Sequence, residues 1–367
     1  MMALTMRGFE STPADLRALL PQRISRLGLK LEGSPVERYV QMLYRELERK
    51  GLRHFRPPCY LTDEWGCPDG EPIIGIPFYL ADPKLARLEQ EIDDLEDERE
   101  IRMYLRHEAG HAFNYAYRLY ATPEWRETFG PFNRPYRERY RPVPFDRSFV
   151  RHIEGWYAQK HPDEDFAETF AVWLTPRSRW RRRYRGWPAM RKLRYVDATA
   201  RTVGDTEPAV RLASTDLTVD EMDMTVEEFF EKSAPAPAAV DVALEHDLPD
   251  LFPRRRAAGL APAAEMLRRH RADLINKIEY WTGVHRAVVR SLVDGILGTA
   301  ERLGLRVDPR TEARTLVELT AYATTLTMNF LTRGSFVPRS RRSPGPGAAR
   351  APRGAHGTIT DRDRTRP

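Results

Sequence analysis

Apolar positions recur along this chain at spacings that predict several elements. Between Pro35 and Lys50, residues Val36, Tyr39, Val40, Leu43 and Leu47 share one stripe. Ser34 precedes the run, Pro35 suits its first turn and Gly51 follows it, so an amphipathic helix is predicted there. From Ile101 to Tyr117 no proline interrupts, and Ile101, Leu105, Ala109, Ala112 and Phe113 form a broad apolar face, which predicts a second helix. A third is expected over Asp163–Leu174, where Phe166, Phe170, Ala171 and Leu174 can pack inward. The acidic run Leu88–Arg99 reads as a solvated helix leading into the second of these. Glu71–Leu80 differs: its β-branched and aromatic residues suit a strand, and Gly75 and Pro77 confine it to an edge or a bulge. An edge of that kind is where an extended peptide can add. Tyr120–Phe149 holds prolines and aromatics with little periodicity and is expected to be a loop region, of the sort that forms lids or pocket walls.

The C-terminal third has its own pattern. Ala263–Leu331 is strongly helical, with breaks expected before Val284 and around Gly304 and Asp308-Pro309. These divisions give an N-terminal extension (1–34), a first folded domain (35–200), a linker region with short helices (201–262), a helical bundle (263–332) and a disordered basic tail (333–367). Within the linker region, Ser233–Ala239 is rich in alanine and proline. The fold class expected is α+β, mostly α: a first domain with a small edge-strand sheet, followed by a helical C-terminal domain.

The chemistry concentrates in His107-Glu108-Ala109-Gly110-His111. Residues four apart lie on one helical face, so His107 and His111 can each aim a ring nitrogen at one ion about 2.0–2.1 Å away. Glu108 falls beside that face, where a carboxylate can act as general base towards a zinc-activated water. A catalytic zinc keeps three protein ligands and an open position. The helix at Asp163–Leu174 offers Glu164 and Glu168 on one face: one can bind the metal and the other can accept a ligating histidine's free ring N–H.

His-Glu-Ala-Gly-His followed by Glu-Asp-Phe-Ala-Glu-Thr-Phe-Ala resembles the bacterial zinc-binding metallopeptidases of the gluzincin type. It is more distantly similar to anthrax lethal factor and the proline-proline endopeptidases. The resemblance runs from about Val36 to Ala200 and implies that the first domain (35–200) is a zincin-like catalytic domain. It implies that Glu164 is the third ligand and Glu168 its supporting carboxylate, and that Tyr157, seven residues before Glu164, stabilises the transition state. Asp163 and Asp165 flank Glu164, so the register can slip and Glu168 remains the alternative ligand. The activity implied is that of a zinc metalloendopeptidase, with Zn2+ as cofactor and a peptide or protein as substrate. His152 and His161, near the third helix, are expected to have structural roles.

Composition narrows the remaining classes. Hydrophobic residues make up 41% of 367, enough for about two cores, and no run approaches the roughly 18 apolar residues of a membrane span. The N-terminus lacks the apolar stretch of a secretory signal, and the two cysteines, Cys59 and Cys67, have neither zinc-finger nor disulfide-scaffold spacing, so a cytoplasmic protein is expected. The net charge of +6 is concentrated in the tail and in an arginine run at 177–185, and weakly favours acidic partners. That run alternates with Trp180, Tyr184 and, just beyond it, Trp187. It supports two alternatives to a peptidase: a nucleic-acid-binding protein using the run and the tail, and a catalytically silent zinc-fold scaffold whose bundle recruits partners. A helix that buries the aromatics and exposes the arginines explains the same residues and is preferred here.

Overall fold

The amphipathic helix expected after Ser34 spans Glu37–Arg49 in a computed structural model of the chain, and buries Tyr39, Val40, Leu43 and Leu47. That structure describes residues 13–92, 95–136, 140, 142–210, 215–233, 244–253, 259–284 and 286–336. Residues 234–243 and 254–258 of the linker region and the basic tail beyond Phe336 lie outside them. Helices dominate the described residues and strands are confined to two two-stranded pairings, as the mostly helical α+β reading requires.

Two long helices hold the centre. The first, Glu98–Ala116, carries the His-Glu motif; the second, Pro162–Leu174, carries the acidic run and is buried along its whole length. They cross closely because Gly110 has no side chain: a Cβ there would stand 2.7 Å from the Ala167 Cα and 2.9 Å from its carbonyl oxygen. Phe113 stacks on Phe170 with ring centroids 4.9 Å apart, which carries the same contact one turn further.

The acidic stretch before the first helix is divided. One helix covers Pro83–Ile92, and the His-Glu helix starts afresh at Glu98. Asp97 makes the break: its carboxylate accepts from the backbone N–H groups of Arg99 and Glu100, while Glu100 returns to the Asp97 N–H in a capping box. The expected strand at Glu71–Leu80 is shorter than its apolar run. Strand β2, Ile74–Pro77, pairs in parallel with strand β1, Cys59–Thr62. Pro77 then turns the chain into a 3-10 segment, Phe78–Ala81. All four β2 residues are buried, and Gly66 bridges Gly75 from outside the strand pair. The loop region at Tyr120–Phe149 contains a helix, Pro123–Phe129, capped by Thr122 and anchored by Trp125 and Phe129. Two turns are too few for periodicity to reveal.

One apolar cluster surrounds the crossing and includes Leu16, Leu20 and Ile24 on one side of the sequence and Val219, Met222, Val226, Phe229 and Phe230 on the other. A second cluster forms around Ala263–Thr282, Arg286–Arg302 and Glu312–Arg333. The first of these helices ends at Gly283 in a left-handed cap, and the space a Cβ would occupy there is filled by the Trp156 ring, 2.5 Å from Cδ1. Trp281 stacks on Phe145 at 6.2 Å beside it. No helix among the described residues is long and apolar enough to cross a membrane.

Candidate metal centre

The helical crossing brings His107, His111 and Glu164 together, all buried. His107 Nε2 and His111 Nε2 are 3.1 Å apart, and Glu164 Oε2 lies 3.0 Å from the first and 3.2 Å from the second. The three atoms form a nearly equilateral triangle. Bonds of about 2.0–2.1 Å to a tetrahedral ion put ligand atoms roughly 3.3 Å apart, so the spacing fits a small divalent cation.

The outer nitrogens explain the orientation. His107 Nδ1 is 3.0 Å from Glu168 Oε1, and His111 Nδ1 is 2.7 Å from Asp163 Oδ2. A carboxylate at Nδ1 is satisfied only by a ring N–H, so in each neutral ring the proton is assigned to Nδ1 and the two Nε2 lone pairs converge. Convergent lone pairs repel unless a cation lies between them; that is the chemistry of a metal site. Charge balance points the same way. Burial opposes charging of His107, but hydrogen bonds with Glu164 and Glu168 outweigh it and bring its pKa up to about 9. Burial likewise opposes charging of His111, and Asp163 and Glu164 raise it well above the ordinary range. Glu164, despite its own burial, is held well below the usual carboxylate range by His111 and His107. Positive charge is strongly favoured in this triangle, and a divalent ion can supply it in place of protons.

Three consecutive carboxylates point in three directions, as a helical step of about 100° requires. Asp163 supports His111 and also accepts from Tyr115 Oη and Asn114 Nδ2, each at 2.6 Å. Glu164 enters the triangle. Asp165 turns away to Lys192 Nζ at 2.6 Å, and burial pushes its carboxyl up to about 7 against that ammonium. Glu168 is fully buried and accepts from the Ile153 and His152 backbone N–H groups besides facing His107. Its oxygens are taken, which separates its position from that of Glu164.

Glu108 sits next to the triangle, buried, with its carboxyl pushed up by desolvation against the opposing pull of His107 and His111. The Tyr157 ring lies 5.5 Å from the His107 ring, and its phenol is 3.5 Å from that of Tyr136. Burial and the nearby Glu164 carboxylate raise the Tyr157 pKa, so the phenol keeps its proton. His161 and His152 face backbone groups instead of the triangle. His161 Nδ1 accepts from the Asp163 N–H and caps the second helix, and its Nε2 is 2.7 Å from the Arg134 carbonyl. His152 Nε2 meets the Met103 carbonyl at 2.9 Å, and burial lowers its pKa.

Sequence reasoning missed Asp163, Asn114, Tyr115 and Tyr136 as parts of the site. Asn114 and Tyr115 follow His111 by three and four residues, a spacing that places them on its face and could have identified them. Tyr136 comes from the aperiodic loop region and its hydroxyl donates to Glu164 Oε1 at 2.6 Å, which no sequence signal foretells. In the arginine run, Trp180 and Tyr184 are buried while Arg181, Arg182 and Arg183 are exposed. Those aromatics are not available to stack on bases, which disfavours the nucleic-acid alternative.

Residues 73–180 match the family described as "Putative zinc-binding metallo-peptidase", a stretch that contains both helices of the triangle. No curated protein and no solved structure matches the chain.

Proposed function

We propose that the chain is a zinc metalloendopeptidase, with His107, His111 and Glu164 as metal ligands and Glu108 as general base. The observation that carries this reading is the triangle of two Nε2 atoms and one carboxylate oxygen, with the buried Glu108 next to His107 in the chain. When bound, zinc supplies Lewis acidity that brings the pKa of a water towards about 7. Asp163 and Glu168 hold the two imidazoles in the tautomer that presents Nε2. Glu108, whose carboxyl is raised above the usual carboxylate range by burial, takes the proton of the attacking water and returns it to the leaving amine. Tyr157 stays protonated and donates to the oxyanion of the tetrahedral intermediate, a contact stronger in the transition state than in the ground state.

The experiment is to purify Glu108→Gln beside the wild type, measure zinc per chain, and assay cleavage of a peptide library. Zinc should be unchanged and turnover should fall by about 10²–10⁴-fold. A Glu108→Gln protein with wild-type turnover overturns the mechanism.

A further inference from the structure

Glu164 has two carboxylate oxygens in different surroundings. Oε2 belongs to the triangle, 3.0 Å from His107 Nε2, whereas Oε1 accepts the Tyr136 hydroxyl at 2.6 Å. Tyr136 is 48% exposed although its hydroxyl reaches a buried carboxylate, so its ring stands at the mouth of the site. Several contacts fix it there. The Tyr136 ring packs 5.5 Å from His161, whose Nε2 in turn meets the Arg134 carbonyl two residues earlier. The Lys160 ammonium lies 4.4 Å over the same ring and 5.2 Å from that of Tyr157.

We infer that Tyr136 is a positioning residue that keeps Glu164 bound through one oxygen and thereby keeps a coordination position open. This rests on the assignment of Glu164 as ligand. A carboxylate free to turn can bind a divalent ion through both oxygens, and the second oxygen then takes the place that a water or substrate carbonyl needs. A phenolic O–H on Oε1 opposes that turn, because rotation would break a short, charge-assisted hydrogen bond. Tyr136 thus acts on Glu164 as Asp163 acts on His111 and Glu168 on His107: each of the three candidate ligands is oriented by a hydrogen bond at its other polar atom.

The test compares full-length wild type, Tyr136→Phe and Tyr157→Phe, loaded with Zn2+ and, separately, with Co2+. Zinc affinity is read by competition with a chromogenic chelator, and coordination number by the visible absorption of the cobalt form. Tyr136→Phe keeps the ring and its packing. It should bind zinc about tenfold more weakly and give the weaker cobalt absorption of a higher coordination number. Tyr157→Phe should leave both unchanged. A Tyr136→Phe protein with the wild-type cobalt spectrum overturns the inference. A wild type that takes up no metal overturns the metalloenzyme reading itself and this inference with it, and the two failures are distinct.

Discussion

Each of three adjacent side chains, Asp163, Glu164 and Asp165, has its work decided by direction. Asp163 is joined to His111 at 2.7 Å and Asp165 to Lys192 at 2.6 Å on the far side of the helix. Asparagine substitutions separate the two positions. Asp163→Asn removes the carboxylate that fixes the His111 tautomer and should weaken zinc binding by about 10–100-fold. Asp165→Asn should leave zinc affinity unchanged. Chelator competition on both proteins measures the contrast, and equal losses would show that the acidic run acts only through its total charge. The motif residues were legible because helical spacing alone puts His107 and His111 on one face. Asp163 was not, since a carboxylate in a first helical turn has an ordinary explanation in the helix dipole.

Between elements, the decisive contact is Gly110 against Ala167, where a Cβ would approach the neighbouring backbone to 2.7 Å. Backbone cannot yield as a flexible side-chain tip can, so Gly110→Ala must push the two helices apart. The cost expected is about 1–3 kcal/mol of stability, together with a widened triangle and weaker zinc binding, since the ligands come from opposite sides of the crossing. Denaturant unfolding of the metal-free protein and a zinc titration check the two effects separately. Loss of zinc binding with full stability, or the reverse, would contradict this link. The helices were readable from periodicity, but the glycine that lets them touch carries no hydrophobic signal. Conversely, the helix at Pro123–Phe129 and the break at Asp97 were missed because both depend on capping over a few residues.

At the scale of the whole molecule, the two apolar clusters approach each other across a surface that contains raised carboxylates. Burial, reinforced by Glu96, brings Glu89 up to about 7 despite Arg290 of the C-terminal helices. The folded-state pKa therefore exceeds the unfolded value of about 4.3. The folded protein holds the Glu89 proton more tightly, so this contribution is fully present below about pH 4 and is lost as pH rises through 7. Glu89→Gln should remove that loss. Its advantage over wild type should grow between pH 5 and 8 by about 2 kcal/mol, after a discount for partial exposure from the ~1.4 kcal/mol per pKa unit of a buried group. Thermal unfolding at both pH values measures the difference, and a constant offset would show that Glu89 does not titrate in this window. The bundle's helices were visible in the sequence, whereas the seating of Gly283 on Trp156, next to Tyr157, was not.

By itself the sequence determined the helices with long apolar stripes, the two imidazoles and carboxylate of the His-Glu motif, and the choice of Glu164 or Glu168 as partners. All of these follow from periodicity or from spacing within one helix. The likeness of its motifs to a family singled out Glu164 over Glu168, but tertiary structure alone decided that Asp163 holds His111 and that Tyr136 reaches Glu164. Those outcomes depend on the relative rotation of two helices and on the path of a loop, and both are set by packing between residues far apart in the chain.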